Sequence, residues 1–188
     1  SSICQYHERR TEICGRCAEV CPTVAILKED ETKHLVFSQI DCTNCGNCIS
    51  VCPSGSLDST LMPQSSFATI AKLYKDKVAL IVSEEINLEE LNVSLPENVL
   101  PFAISAAHFL SQTHFLTLLQ ESGASVILYS KSLGKGEKDA ISIVNQIYEL
   151  KFKESAIHHA KDKAELEIAL KKAKLIDDSQ HSINEYAL

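Results

Sequence analysis

Apolar residues along this chain fall into two regimes. Up to residue 62 they come in short pieces, of which Val24-Ala25-Ile26-Leu27 and His34-Leu35-Val36-Phe37 flank the polar run Lys28-Glu29-Asp30-Glu31-Thr32-Lys33. That is the pattern of a β-hairpin. Beyond Met62-Pro63-Gln64 the apolar segments lengthen and alternate in period. Ser65 is placed to cap a helix reaching Lys75, with Phe67, Ile70, Ala71 and Tyr74 at helical spacing. Val78-Ala79-Leu80-Ile81-Val82 is the continuous run of a strand buried on both faces. A second strand is predicted near Val99 to Ile104. A long helix over 106–121 follows, carrying Phe109, Phe115, Leu116, Leu118 and Leu119 and ended by Gly123. A strand over 125–129, a helix over 137–150, a short strand over 156–159 and a helix over 162–175 complete the series. Strands separated by helices imply right-handed crossovers and a parallel sheet in a three-layer α/β sandwich. The predicted organisation is an N-terminal unit over 1–62, an α/β domain over 63–176 and a polar tail or linker over 177–188.

The cysteines change the picture of the first unit. All eight fall within the first 52 residues. Cys42-x2-Cys45-x2-Cys48-x3-Cys52-Pro53 delivers three thiolates from one tight loop, with backbone N–H groups turned towards the sulfurs. The fourth cysteine points away to a neighbouring centre. Upstream, Cys14-x2-Cys17-x3-Cys21-Pro22 repeats the pattern: Cys14 aligns with Cys45, Gly15 with Gly46, Cys17 with Cys48, Val20 with Val51, Cys21 with Cys52 and Pro22 with Pro53, at one constant offset. The repeat fails at one position, because Thr11 stands where the second copy has Cys42. Cys4, across a longer gap, is expected to supply that thiolate, since lengthening a loop adds little closure entropy. An open or three-iron site at Cys14, Cys17 and Cys52, or ligation by His7, stands as the alternative.

Residues 1–62 resemble the bacterial-type two-[4Fe–4S] ferredoxin module, an α+β fold, with an enlarged first loop. The resemblance implies two [4Fe–4S] clusters, one held by Cys4, Cys14, Cys17 and Cys52 and the other by Cys42, Cys45, Cys48 and Cys21. Each half of the repeat then closes the other half's cluster, so cluster binding and folding are one event. The hairpin residues with Val20, Ile40, Ile49 and Leu57 are expected to shield the clusters, and Glu29, Asp30 and Glu31 to form a solvated turn rather than a docking tip. Leu100-Pro101-Phe102-Ala103-Ile104 and Leu118-Leu119-Gln120-Glu121-Ser122-Gly123 are similar to the domain that follows ferredoxin motifs in polyferredoxins of formate dehydrogenases and hydrogenases. That similarity implies a segment of a longer electron-transfer subunit.

Zinc sites take their cysteines as separated pairs, and a disulfide framework would not follow metal-ligand spacing, so both are disfavoured. Reduced thiols point to a cytoplasmic protein. The opening residues carry Glu8, Arg9 and Arg10 without an apolar stretch, so no signal peptide is expected. No apolar run reaches the roughly 20 residues of a membrane span. The net charge of −7 makes nucleic acid an unsuitable partner and a positively edged redox protein a suitable one.

The α/β domain carries little chemistry in its sequence. Gly134-Lys135-Gly136 lies between a strand and a helix near Lys131 and Lys138, but it lacks a dinucleotide fingerprint and reads as an ordinary glycine turn. His108 and His114 fall on different faces of the predicted helix, and adjacent His158 and His159 are expected to divide between a buried and an exposed face. No catalytic motif stands out. The expected function is single-electron relay to or from a larger redox enzyme complex, with the α/β domain as docking or scaffold element. The alternatives are a redox enzyme whose α/β domain binds substrate or nucleotide, and an iron–sulfur sensor.

Overall fold

The computed structural model describes residues 3–8, 14–84, 86–88, 92–106 and 108–176, so Thr11 and the expected tail over 177–188 lie outside the described residues. The N-terminal unit contains α1 (Arg16–Glu19), β1 (Ile26–Glu29), β2 (His34–Phe37) and α2 (Asn47–Ser50). The hairpin forms, with Ile26 opposite Phe37 and Glu29 opposite His34. It begins later than predicted. Val24 sits at φ 56°, in the left-handed region that a β-branched residue rarely adopts, because the chain must turn there to aim the Ala25 N–H at the Cys21 sulfur, 3.2 Å away.

α3 (Gln64–Ala71) starts at a Pro63 cap instead of at Ser65, and a 3-10 turn over Lys72–Tyr74 finishes it. The predicted cap loses because the Asp58 carboxylate already takes the Gln64 N–H at 3.1 Å. β3 (Val78–Ser83), β4 (Val99–Ile104), β5 (Val126–Tyr129) and β6 (Ile157–Ala160) then build a parallel sheet in the order β4-β3-β5-β6. Its strands alternate between two buried clusters. Ala79, Ile81, Phe102, Ile104, Val126 and Leu128 pack with Phe67, Phe109, Phe115 and Leu118, whereas Val78, Leu80, Val82, Val99 and Ile127 pack with Leu166 and Ala169. Each valine, leucine, isoleucine or phenylalanine among them contributes about 1.5–3 kcal/mol on burial, which explains why the central strand reads as continuously apolar.

The predicted long helix over 106–121 is shorter than expected: α4 is Gln112–Ser122. Its first turn is lost because the His108 N–H is committed to the Cys45 carbonyl at 2.9 Å, and extended Ser111 opens the helix instead. The buried His114 ring returns to accept the Ser111 N–H at 3.2 Å, closing a reciprocal cap. His108 is therefore not on the helix at all. Gly123 at φ 63° ends α4 as predicted. α5 (Lys135–Phe152) and α6 (Lys163–Lys172, capped by Asp162) follow. His158 and His159 do not divide into buried and exposed; both are half-buried, and His159 Nε2 lies 2.8 Å from the Ser130 carbonyl oxygen. Among the described residues no helix is long and apolar enough to cross a membrane.

Candidate metal centre

The two cysteine motifs fold alike. Gly15 and Gly46 precede α1 and α2, which carry Cys17 and Cys48, and Cys21 and Cys52 follow just beyond the helix ends. Burial alone would raise the Cys21 thiol, but N–H groups of Thr23, Ala25 and Ile26 and the Thr23 hydroxyl outweigh it and lower its pKa. Cys52 repeats this: burial opposes, while N–H groups of Ser54, Ser56 and Leu57 and the Ser54 hydroxyl lower it. Val24 at φ 56° and Gly55 at φ 64° make the same left-handed turn in the two copies. Both loops thus present a half-formed ring of donors to one sulfur, which is how a protein stabilises a thiolate that carries metal.

The other thiols fall into two groups that act on one another electrostatically. Burial pushes Cys17 up to about 11, and charge on Cys14 and Cys4 adds to it. Burial likewise pushes Cys48 up to about 11, with charge on Cys45, Cys17 and Cys42 adding. Thiols packed this way stay protonated unless positive charge is bound among them. A cavity of about 420 Å³ is lined by Cys21, Cys42, Cys45 and Cys48, with Ile26, Phe37, Ile49, Leu57 and Leu61 around them. Among the described residues, no three cysteine sulfurs lie within 4.8 Å of one another. All-thiolate donors and N–H groups aimed at sulfur fit an iron–sulfur cluster.

The segment bearing Cys4 is tied to the hairpin. Tyr6 is buried, donates its hydroxyl to Asp30 at 2.8 Å and lies under Lys28 and Lys33. Glu29, Asp30 and Glu31 are exposed where the hairpin turns, the solvated turn expected, and Asp30 also anchors Tyr6 from there. The His7 N–H donates to the Cys4 sulfur at 3.4 Å, while the His7 ring turns to the hairpin, where Nδ1 accepts the Leu35 N–H at 3.3 Å. His7, Glu8 and His34 bring ligand atoms within 4.8 Å of one another. That grouping is a poor metal site, because a His7 that accepts at Nδ1 carries its proton on Nε2, the atom left to bind. The expected apolar shield is uneven: Ile49 and Leu57 line the cavity, whereas Ile40 is 98% exposed.

The second motif also carries the contact with the α/β part. A β-carbon on Gly46, at φ 85°, would stand 2.6 Å from Phe109 Cβ. Gly134 and Gly136 are packed so tightly on Asn47 and Ser50 that neither position has room for a side chain. The loops after β4 and β5 at the carboxyl edge of the sheet therefore hold α2, in the place where open α/β sheets take ligands. The Gly134-Lys135-Gly136 turn is a close-packing device. Glu137, 1% exposed, secures it by accepting the Gly134 N–H and pairing with His108 Nδ1, each at 2.9 Å; burial raises its pKa against these bonds. Sequence reading missed this network, although a glycine followed three residues later by glutamate is the trace of a helix cap. Beside Cys52, Arg16, Glu19, Gln112, Lys135 and Asp139 line a second cavity of about 390 Å³.

Residues 12–56 match the family model of the 4Fe-4S dicluster domain, about a quarter of the chain. This match supports a ferredoxin-type module and, with it, iron–sulfur electron transfer. No curated protein and no solved structure gives a significant match.

Proposed function

We propose that the module holds two [4Fe–4S] clusters, one on Cys4, Cys14, Cys17 and Cys52 and the other on Cys42, Cys45, Cys48 and Cys21, and relays single electrons to or from a larger redox complex. The observation that carries this reading is the cavity lined by Cys21 together with Cys42, Cys45 and Cys48, a ligand set drawn from both copies of the repeat. When bound, such clusters accept and give up one electron at a time. The chain's own residues ligate, donate N–H groups to Cys21 and Cys52, and exclude water with Ile26, Ile49 and Leu57. Cys17 and Cys48 place the two ligand sets in electrostatic contact, so charge at one is felt at the other. The α/β part, read as a three-layer domain over 63–176, acts as scaffold: its carboxyl edge is spent on α2. Leu61 and Phe37 line the cavity and are exposed, and a partner with an apolar patch and a basic rim suits them and the net charge of −7. The partner proposed on the sequence resemblance is a dehydrogenase- or hydrogenase-type complex.

The cavity beside Cys52 favours a second reading, an enzyme that reduces or oxidises a small polar substrate there. Anaerobic purification with iron and zinc analysis tests the first reading, which expects roughly eight irons per chain. Stoichiometric zinc in place of iron overturns it. Calorimetric titration of the whole protein with nicotinamide and flavin cofactors separates the readings. Micromolar binding, about 8 kcal/mol, puts the enzyme first.

A further inference from the structure

The two halves of the repeat differ in what the first residue of each short helix does. Asn47 donates its side-chain amide to the Cys45 sulfur at 3.5 Å. Arg16, the matching residue of the first motif, instead lines the cavity beside Cys52. Asn47 is not free to swing away: its Oδ1 is packed on Gly134 so closely that a β-carbon there would collide with it. The Glu137 carboxylate holds the Gly134 N–H at 2.9 Å from behind. The same cysteine gives its carbonyl oxygen to the His108 N–H. The α/β part thus presses a side-chain donor onto one of the two ligand sets.

We infer that Asn47 is a positioning residue that sets the order of the two reduction potentials, making the cluster on Cys42, Cys45, Cys48 and Cys21 the more easily reduced of the pair. This rests on the ligand reading proposed above. Reduction adds one negative charge to a cluster, part of which is borne by its thiolate sulfurs. A donor on Cys45 therefore favours the reduced form over the oxidised one. A hydrogen bond of ordinary net strength changes the reduction equilibrium about threefold to tenfold, and tenfold is about 59 mV for a one-electron couple.

The test is anaerobic spectroelectrochemistry, with paramagnetic resonance, of the whole protein and its Asn47→Leu, Asn47→Asp and Gly134→Ala variants. The expected result is two midpoints in the unaltered protein. In Asn47→Leu the higher one falls by roughly threefold to tenfold in equilibrium constant, and in Asn47→Asp it falls further, since a carboxylate adds charge and removes the donor. Gly134→Ala, which leaves the amide in place chemically but displaces it, moves the same midpoint in the same direction. Its backbone φ of −66° suits alanine, so the variant acts by displacing the Asn47 amide and crowding His108 rather than through backbone strain. Unmoved midpoints in the Asn47 variants, or movement of the lower midpoint alone, overturn the inference while leaving the two-cluster reading intact. An unaltered protein that binds no iron–sulfur cluster overturns both.

Discussion

Gly46 and Phe109 meet so closely that the phenylalanine Cβ occupies the space a side chain at position 46 would need, and a β-carbon added there would stand 2.6 Å from it. One residue lies between Cys45 and the start of α2; the other is 1% exposed and packs edge-on with Phe67 and His114 in the core beside the sheet. The cysteine loop and the α/β core are therefore joined at a point with no room for a side chain.

Gly46→Ala should separate packing from backbone strain when set beside Gly55→Ala. Both glycines have positive φ, 85° and 64°, but nothing lies within 4 Å of a β-carbon at Gly55. Gly55→Ala is expected to lower stability by about 1–2 kcal/mol, the strain of a left-handed alanine. Gly46→Ala adds overpacking of about 1–3 kcal/mol and speeds cluster loss. Anaerobic thermal unfolding followed by visible absorbance measures both, and equal losses would show that the Phe109 contact contributes nothing.

Cys4→Ser tests the irregular ligand. The His7 N–H already points at the Cys4 sulfur, and Cys4 bears electrostatically on Cys17. The variant is expected to keep the cluster on Cys42, Cys45, Cys48 and Cys21 and to lose about four irons, or one iron if a three-iron centre remains. Iron content and spectra equal to those of the unaltered protein would show that Cys4 is not a ligand.

His114 makes the fold sensitive to acid. Burial lowers its pKa from 6.5 to about 4, with the Asp58 charge opposing in part. Between those values the unfolded chain binds a proton that the folded chain does not, so stability is lost as pH falls through that window, by as much as about 3 kcal/mol. His114→Gln keeps a side chain able to return to the Ser111 N–H but does not titrate. Its melting temperature should fall less than that of the unaltered protein between pH 7 and pH 4.5. Identical falls would place the acid sensitivity elsewhere.

Val24→Gly should stabilise. Val24 is 65% exposed and held at φ 56°, so little packing is lost and a left-handed β-branched residue is relieved. The gain expected is about 1 kcal/mol, the left-handed strain less the added chain entropy of glycine. A lower melting temperature would mean that the turn is held by contacts of the valine side chain.

The sequence by itself determined the chemistry and the layout of elements. Thiolates for a polynuclear centre must come at fixed spacings from tight loops, so Cys14 to Cys21 and Cys42 to Cys52 announce the site without reference to the rest of the chain. Central strand β3 was legible because a strand buried on both faces must be apolar throughout, and the ends of β4 and α4 because Ile104 and Gly123 close their patterns. What only the tertiary structure decided lies where two distant segments compete for one backbone group. His108 looked helical until its N–H was claimed by Cys45, Ser65 looked like a cap until Asp58 took that place, and Val24 looked like strand until Cys21 required the turn. Gly134 and Gly136 read as an ordinary glycine turn for the same reason. A glycine records that something comes close, and only the folded chain shows that it is Asn47 and Ser50.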